Sequence, residues 1–100
     1  MTGTDGIAET YQFQLFIAGD TPNSVLAINN LNSLCEKHLV NRHQIDIVDV
    51  LAEPSRALTE SIFMTPTLVR ISPLPARRII GNLSDFHSVL EALGLNAASR

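Results

Sequence analysis

Tyr11-Gln12-Phe13-Gln14-Leu15-Phe16-Ile17-Ala18-Gly19-Asp20-Thr21-Pro22-Asn23-Ser24 decides the fold. The stretch first alternates polar and apolar, then runs apolar from Leu15 to Ala18. That pattern predicts a strand passing from half-exposed to buried on both faces. Gly19-Asp20 breaks it, and Thr21-Pro22 opens a helix. The threonine side chain can accept from a free N–H of the first turn, and proline at the first helical position forfeits no hydrogen bond. Val25, Ile28, Leu31, Leu34, Cys35 and Leu39 then recur at helical spacing as one apolar stripe, with Asn29, Asn30, Ser33, Glu36 and Lys37 off it.

Toward the C-terminus, residues 44–50 predict a second strand whose polar positions suit a sheet edge or a half-solvated face. Pro54 starts a short helix reaching about Phe63, with Leu58 and Ile62 as an i, i+4 pair and Thr59 and Ser61 weakening it. Residues 67–71 and 78–80 predict two strands joined by Ser72-Pro73-Leu74-Pro75, a hairpin turn because neither proline can donate to a ladder. Gly81-Asn82 supplies residues that tolerate positive φ. Ser84 caps a last helix with Asp85 in its first turn, burying Phe86, Val89, Leu90 and Leu93, and Gly94 stops it. The order is β-α-β-α-β-β-α. The first two strands pair in parallel through a right-handed crossover and the last two antiparallel. The result is an α/β fold, a four-stranded mixed sheet with helices on its faces: a thioredoxin-like arrangement. Residues 1–10 read as a flexible leader, 11–95 as a single domain and 96–100 as a flexible tail.

Composition agrees and excludes several classes. One hundred residues, 45% hydrophobic and 17% charged, make one globular domain that needs no disulfide or metal staple. The net charge is −3, and the seven basic residues are scattered apart from Arg77-Arg78, so no basic face is offered to DNA or RNA. Residues 1–10 are polar and acidic, unlike a secretory signal, and no apolar run approaches a membrane span. A cytoplasmic protein with no nucleic-acid or membrane partner is expected.

Candidate chemistry is sparse. Cys35, His38 and His43 have a C-x2-H-x4-H spacing and His87 adds an imidazole, but Cys35 sits on the buried stripe and the two histidines suit a helix end. A thiol buried among apolar groups has a raised pKa and makes a poor nucleophile. Asp46 and Asp49 fall on opposite sides of a strand and Asp20 in a turn, so no acid/base pair forms. No catalytic residue, cofactor site or metal site is expected. The second strand is the better interaction candidate, because an open edge offers unpaired N–H and C=O groups to a partner. Arg77 and Arg78 can meet an acidic surface or simply solubilise an edge hairpin.

Met64-Thr65-Pro66-Thr67-Leu68 resembles the cis-proline element of thioredoxin-like proteins, with Pro66 at the strand start. Where a thioredoxin carries Cys-X-X-Cys at the first helix, this chain has Thr21-Pro22-Asn23-Ser24, so dithiol exchange there is excluded. The blocks Ala18-Gly19-Asp20-Thr21-Pro22-Asn23-Ser24, Asp49-Val50-Leu51, Thr65-Pro66-Thr67-Leu68 and Arg77-Arg78-Ile79-Ile80-Gly81-Asn82-Leu83-Ser84, in this order, resemble the KaiB family of circadian clock proteins.

The resemblance implies a non-enzymatic regulator that binds the hexameric ATPase KaiC and modulates its cycle. It also implies KaiA and a KaiB-like sensor histidine kinase as competitors. It further implies a second packing, β-α-β-β-α-α-β, in an unbound dimer or tetramer, with Gly81, Asn82 and Asp85 as fold-switch candidates. Partner contacts implied on this chain are His43, Gln44, Asp46, Arg77 and Arg78. The chain departs from the family pattern at Leu26 and Asp46, where clock members are commonly basic, at His43 for an aromatic residue, and at Asn82 for an aspartate. A KaiB-like paralogue in stress signalling and a sensor module of a histidine-kinase phosphorelay are the alternative readings. A thioredoxin-like oxidoreductase is a third.

Overall fold

The computed structural model describes residues 9–95. The expected leader and tail fall outside the described residues, except Glu9 and Thr10, which are exposed. The elements are β1 (Tyr11–Ile17), α1 (Pro22–His38), β2 (His43–Asp49), α2 (Pro54–Thr59), β3 (Thr67–Ser72), β4 (Arg77–Ile80) and α3 (Phe86–Ala92). The sheet order is β2-β1-β3-β4, with β1 parallel to β2 and antiparallel to β3, and β3 antiparallel to β4.

β1 is a central strand, and its sequence explains why. Leu15 and Phe16 are adjacent, point to opposite faces, and are both 0% exposed. Phe13, Leu15 and Leu68 pack beneath α1 and α3 against Ala27, Leu31, Leu34, Cys35, Val89 and Leu93. On the other face Phe16, Val48 and Val69 meet Ala57 and Ile62 around α2. Each fully buried large side chain contributes about 1.5–3 kcal/mol, so the two apolar clusters hold three layers together.

Several local expectations are corrected. Val25 is exposed and Ile28 half-buried, whereas Leu31, Leu34, Cys35 and Leu39 of the expected stripe are buried and are joined by Ser24 and Ala27. Thr21 stands at the N-cap position without a side-chain cap bond; its hydroxyl lies 2.8 Å from Ser24 Oγ and donates to it. α2 stops at Thr59 rather than near Phe63. The Thr59 hydroxyl donates back to the Ser55 carbonyl at 2.9 Å, a bond that weakens helices, and Ser61 turns left-handed at φ +57°. Leu58 is therefore not a core partner of Ile62 but stands exposed.

At the last helix Asp85, not Ser84, is the cap: its carboxylate accepts from the Ser88 N–H at 3.2 Å and the Ser88 hydroxyl at 2.8 Å. Phe86 is exposed as a result. The positive φ values fall on Gly81 and Leu83, not on Asn82.

Candidate functional site

The carboxyl ends of β1 and β2 and the start of β3 meet at one end of the sheet. Gly19 turns the chain out of β1 at φ +57°, a conformation that favours glycine, and a Cβ there would meet Leu51 Cδ1 at 3.4 Å. Asp49 Oδ1 accepts from the N–H groups of Gly19 and Leu51, both at 3.0 Å. Ser24 is buried where its hydroxyl accepts from the Ala18 N–H at 3.0 Å. The Thr65–Pro66 peptide bond beside this loop is cis. The corner of the fold where a thioredoxin carries its thiols thus holds a buried serine and a backbone-binding aspartate.

Cys35 is remote from that corner, inside the α1 layer. Burial pushes its thiol from 9.0 up to about 12, with Glu36 adding to the shift. That environment opposes thiolate formation.

The same end of the sheet is apolar on its surface. Leu51, Leu58, Phe63 and Met64 are 72%, 73%, 86% and 59% exposed. Three of them, with Val50, Pro54 and Ile62, line or rim a cleft of about 360 Å³ beside Thr65. Contiguous exposed apolar surface on a small protein marks an interaction site more often than isolated leucines do. The sequence pattern does not show this surface, because it places Leu58 and Phe63 in one longer helix and Met64 in the cis-proline element. The signal available is Phe63-Met64 just ahead of Thr65-Pro66, two large apolar residues next to a position that proline turns away from helix.

The five sequence-predicted contact residues do not form one patch. His43, Gln44 and Asp46 lie on β2, at one edge; Arg77 and Arg78 lie on β4, at the other. Three strand spacings, about 14 Å, separate the edges. His43 Nδ1 is 2.8 Å from the Leu39 carbonyl. Asp46 is not merely a solvated charge: it pairs with Arg56 of α2 at 2.6 Å, and that hydrogen bond raises the Arg56 pKa further above its ordinary value. Arg78 donates to the Glu60 and Ser61 carbonyls beyond α2.

Arg77 sits opposite Arg70 in the β3–β4 register. Arg70 is 6% exposed, donates to the Leu93 carbonyl at 2.8 Å and the Pro75 carbonyl at 2.7 Å, and stacks over the Tyr11 ring. Among the described residues no group of three or more His, Cys, Asp or Glu could hold a metal ion, and no helix is long and apolar enough to cross a membrane.

Comparison with known proteins agrees with these features. The KaiB domain profile matches residues 14–95. The circadian clock oscillator protein KaiB of Thermosynechococcus vestitus is 43% identical over 89 residues, covering 89% of this chain and 82% of that protein. The KaiB of Synechococcus elongatus is 44% identical over 87 residues, covering 87% and 85%. Among solved structures, chloroplastic thioredoxin z superposes with a TM-score of 0.72 at 23% identity, covering 89% of this chain and 80% of that one. The N-terminal domain of Synechococcus elongatus SasA gives 0.68 at 21% identity, covering 90% and 89%. At those identities the structural likenesses speak for the thioredoxin-like fold alone.

Proposed function

The chain belongs to the KaiB family, and on that premise we propose that it acts by binding: a regulator without catalysis of its own that docks on a KaiC-type hexameric ATPase and modulates its cycle. The observation that supports this reading most is the exposed apolar surface of Leu51, Leu58, Phe63 and Met64, set at a thioredoxin-like corner that carries no thiol. The open edge of β2, with His43, Gln44 and Asp46, continues from this surface through Val50. A KaiA-type protein or a KaiB-like sensor kinase competes for the same assembly.

The setting is a cytoplasmic clock or clock-like pathway. The unbound chain is a dimer or tetramer in the alternative β-α-β-β-α-α-β packing, and Gly81, Asn82 and Asp85 are the positions that balance the two. Gly81 fits that role because its φ of +125° in the thioredoxin-like packing disfavours any L side chain. Asn82 fits it because its amide donates to Asn23 Oδ1 and its carbonyl accepts from the Asn30 amide, tying the β4–α3 link to α1.

The test is co-elution with the KaiC-type ATPase of the same host, with and without ATP, together with the ATPase rate. Phe63→Ala combined with Met64→Ala weakens the complex at least tenfold while far-UV circular dichroism is unchanged. A wild-type chain that neither co-elutes nor alters the rate overturns the reading.

A further inference from the structure

β4 is the far edge of the sheet, and its register fixes which of its backbone groups are unpaired. The Gly81 N–H donates to the Pro66 carbonyl at 2.9 Å, so Gly81 and Pro66 occupy a bonded position of the antiparallel ladder. Bonded and non-bonded pairs alternate. Ile79 with Leu68 and Arg77 with Arg70 are therefore the bonded pairs, while Arg78 opposite Val69 and Ile80 opposite Thr67 are not. The N–H and C=O groups of Arg78 and Ile80 point away from β3, toward open space.

The chemistry around this edge is one-sided. Residues 67–81 carry Arg70, Arg77 and Arg78 and no Asp or Glu, in a chain whose net charge is −3. Arg70 and Arg77 are directly opposed like charges, an arrangement that is unfavourable unless something negative is near. Arg70 is held by two carbonyls, with its buried Nε left without a partner, and Arg78 donates to the Ser61 and Glu60 carbonyls. Both ion pairs among the described residues belong to Arg56, so neither Arg77 nor Arg78 meets a carboxylate. Beside the edge, a concavity of about 470 Å³ opens between β4 and α3, floored by the small residues Gly81, Ser88 and Ala92. Asp85 stands at the N-terminal end of α3, while Leu93, just past the other end, lies against Arg70 and hence near Arg77.

We propose that the β4 edge takes up an extended acidic segment of a partner protein, which adds as a fifth strand. Its main chain pairs with the outward groups of Arg78 and Ile80. Alternate side chains enter the β4–α3 concavity, and a carboxylate lies at the Arg77–Arg78 end, away from Asp85. A second copy of this chain fits poorly, because pairing β4 with β4 brings Arg77 and Arg78 of each copy together with no carboxylate on either strand. This surface lies at the edge opposite β2 and stands whether or not the KaiC-type reading does.

The experiment titrates the ¹⁵N-labelled full chain with a capped heptapeptide of alternating glutamate and valine, and with a version carrying lysine for glutamate. No ATPase is present. Low-millimolar acidic peptide shifts the Arg78, Ile80 and Ser88 amides, and the lysine peptide binds at least tenfold more weakly. Ile80→Pro removes an outward N–H while sparing the β3 ladder, and abolishes the shifts with circular dichroism unchanged. The pair Arg77→Glu with Arg78→Glu reverses the preference between the peptides, which guards against misfolding of the proline variant. Equal binding of both peptides, shifts centred on β2, or a concentration-dependent dimer abolished by Ile80→Pro overturns the proposal.

Discussion

Asp49 Oδ1 accepts a hydrogen bond from the Gly19 N–H at 3.0 Å, joining the ends of β1 and β2 across thirty residues of chain. The same oxygen accepts from the Leu51 N–H, so one carboxylate fixes both the loop leaving β1 and the loop leaving β2, the second of which carries Leu51 of the apolar surface. The bond to Gly19 is part-buried and that to Leu51 exposed, and loss of the acceptor from a buried donor costs about 1–3 kcal/mol. Asp49→Ala is expected to lose that much in urea unfolding, and Asp49→Asn, which keeps the acceptor oxygen, to recover more than half. If Asn and Ala variants are equally destabilised, the hydrogen bonds are not what Asp49 contributes.

That role was hidden in the sequence, whereas the strand it ends was plain. Leu15-Phe16-Ile17-Ala18 identified the buried central strand because continuous apolarity suits only a position covered on both faces. β2 read as an edge for the complementary reason, its polar alternation. Asp49 gave no such signal: an aspartate at a strand end reads as a solvated charge until the loop thirty residues away is seen beside it. Phe63 and Met64 were obscured by the opposite error. Helical spacing linked Leu58 to Ile62, and only the left-handed Ser61 shows that the helix has already ended. The burial of Arg70 has no sequence signal, because periodicity says nothing about carbonyls arriving from Leu93 beyond α3 and from Pro75 in the hairpin turn.

Arg70 ties α3 and the β3–β4 turn to the sheet through the Leu93 and Pro75 carbonyls. Arg70→Ala leaves both acceptors without their donor and empties a buried volume, a loss of about 2–4 kcal/mol. The effect is expected to be uneven. Amide hydrogen exchange in Val89, Leu90 and Leu93 accelerates well before that of Phe13 or Leu15 in β1. A uniform acceleration across the chain would contradict the tether.

Cys35 is held protonated by burial, its pKa moved from 9.0 to about 12. The folded chain therefore binds the thiol proton more tightly than the unfolded chain does. The stability contribution is complete below pH 9.0 and declines as pH rises from there toward about 12. At pH 8 an alkylating reagent is expected to modify Cys35 at least a hundredfold more slowly in native buffer than in urea. Cys35→Ala loses about 1–2 kcal/mol from the cavity it leaves, and flattens the alkaline slope of the unfolding curve. Rapid native-state alkylation would show the thiol to be accessible and active.

Asp85 titrates with the opposite sign. The Ser88 hydroxyl and N–H bond its carboxylate and lower its pKa below the ordinary 3.8, with His87 adding a smaller Coulombic pull. The folded chain releases this proton more readily, so the cap stabilises above pH 3.8 and fades as the pH falls through the lowered folded value. Asp85→Ala is accordingly less stable than wild type at pH 7, chiefly through fraying of α3, and the two urea midpoints converge as the pH falls below 3.8. Ser88→Ala narrows the same window from the donor side, since it removes the largest cause of the shift and moves the convergence to higher pH. A midpoint difference that persists undiminished in acid would mean that Asp85 acts through something other than its charged cap.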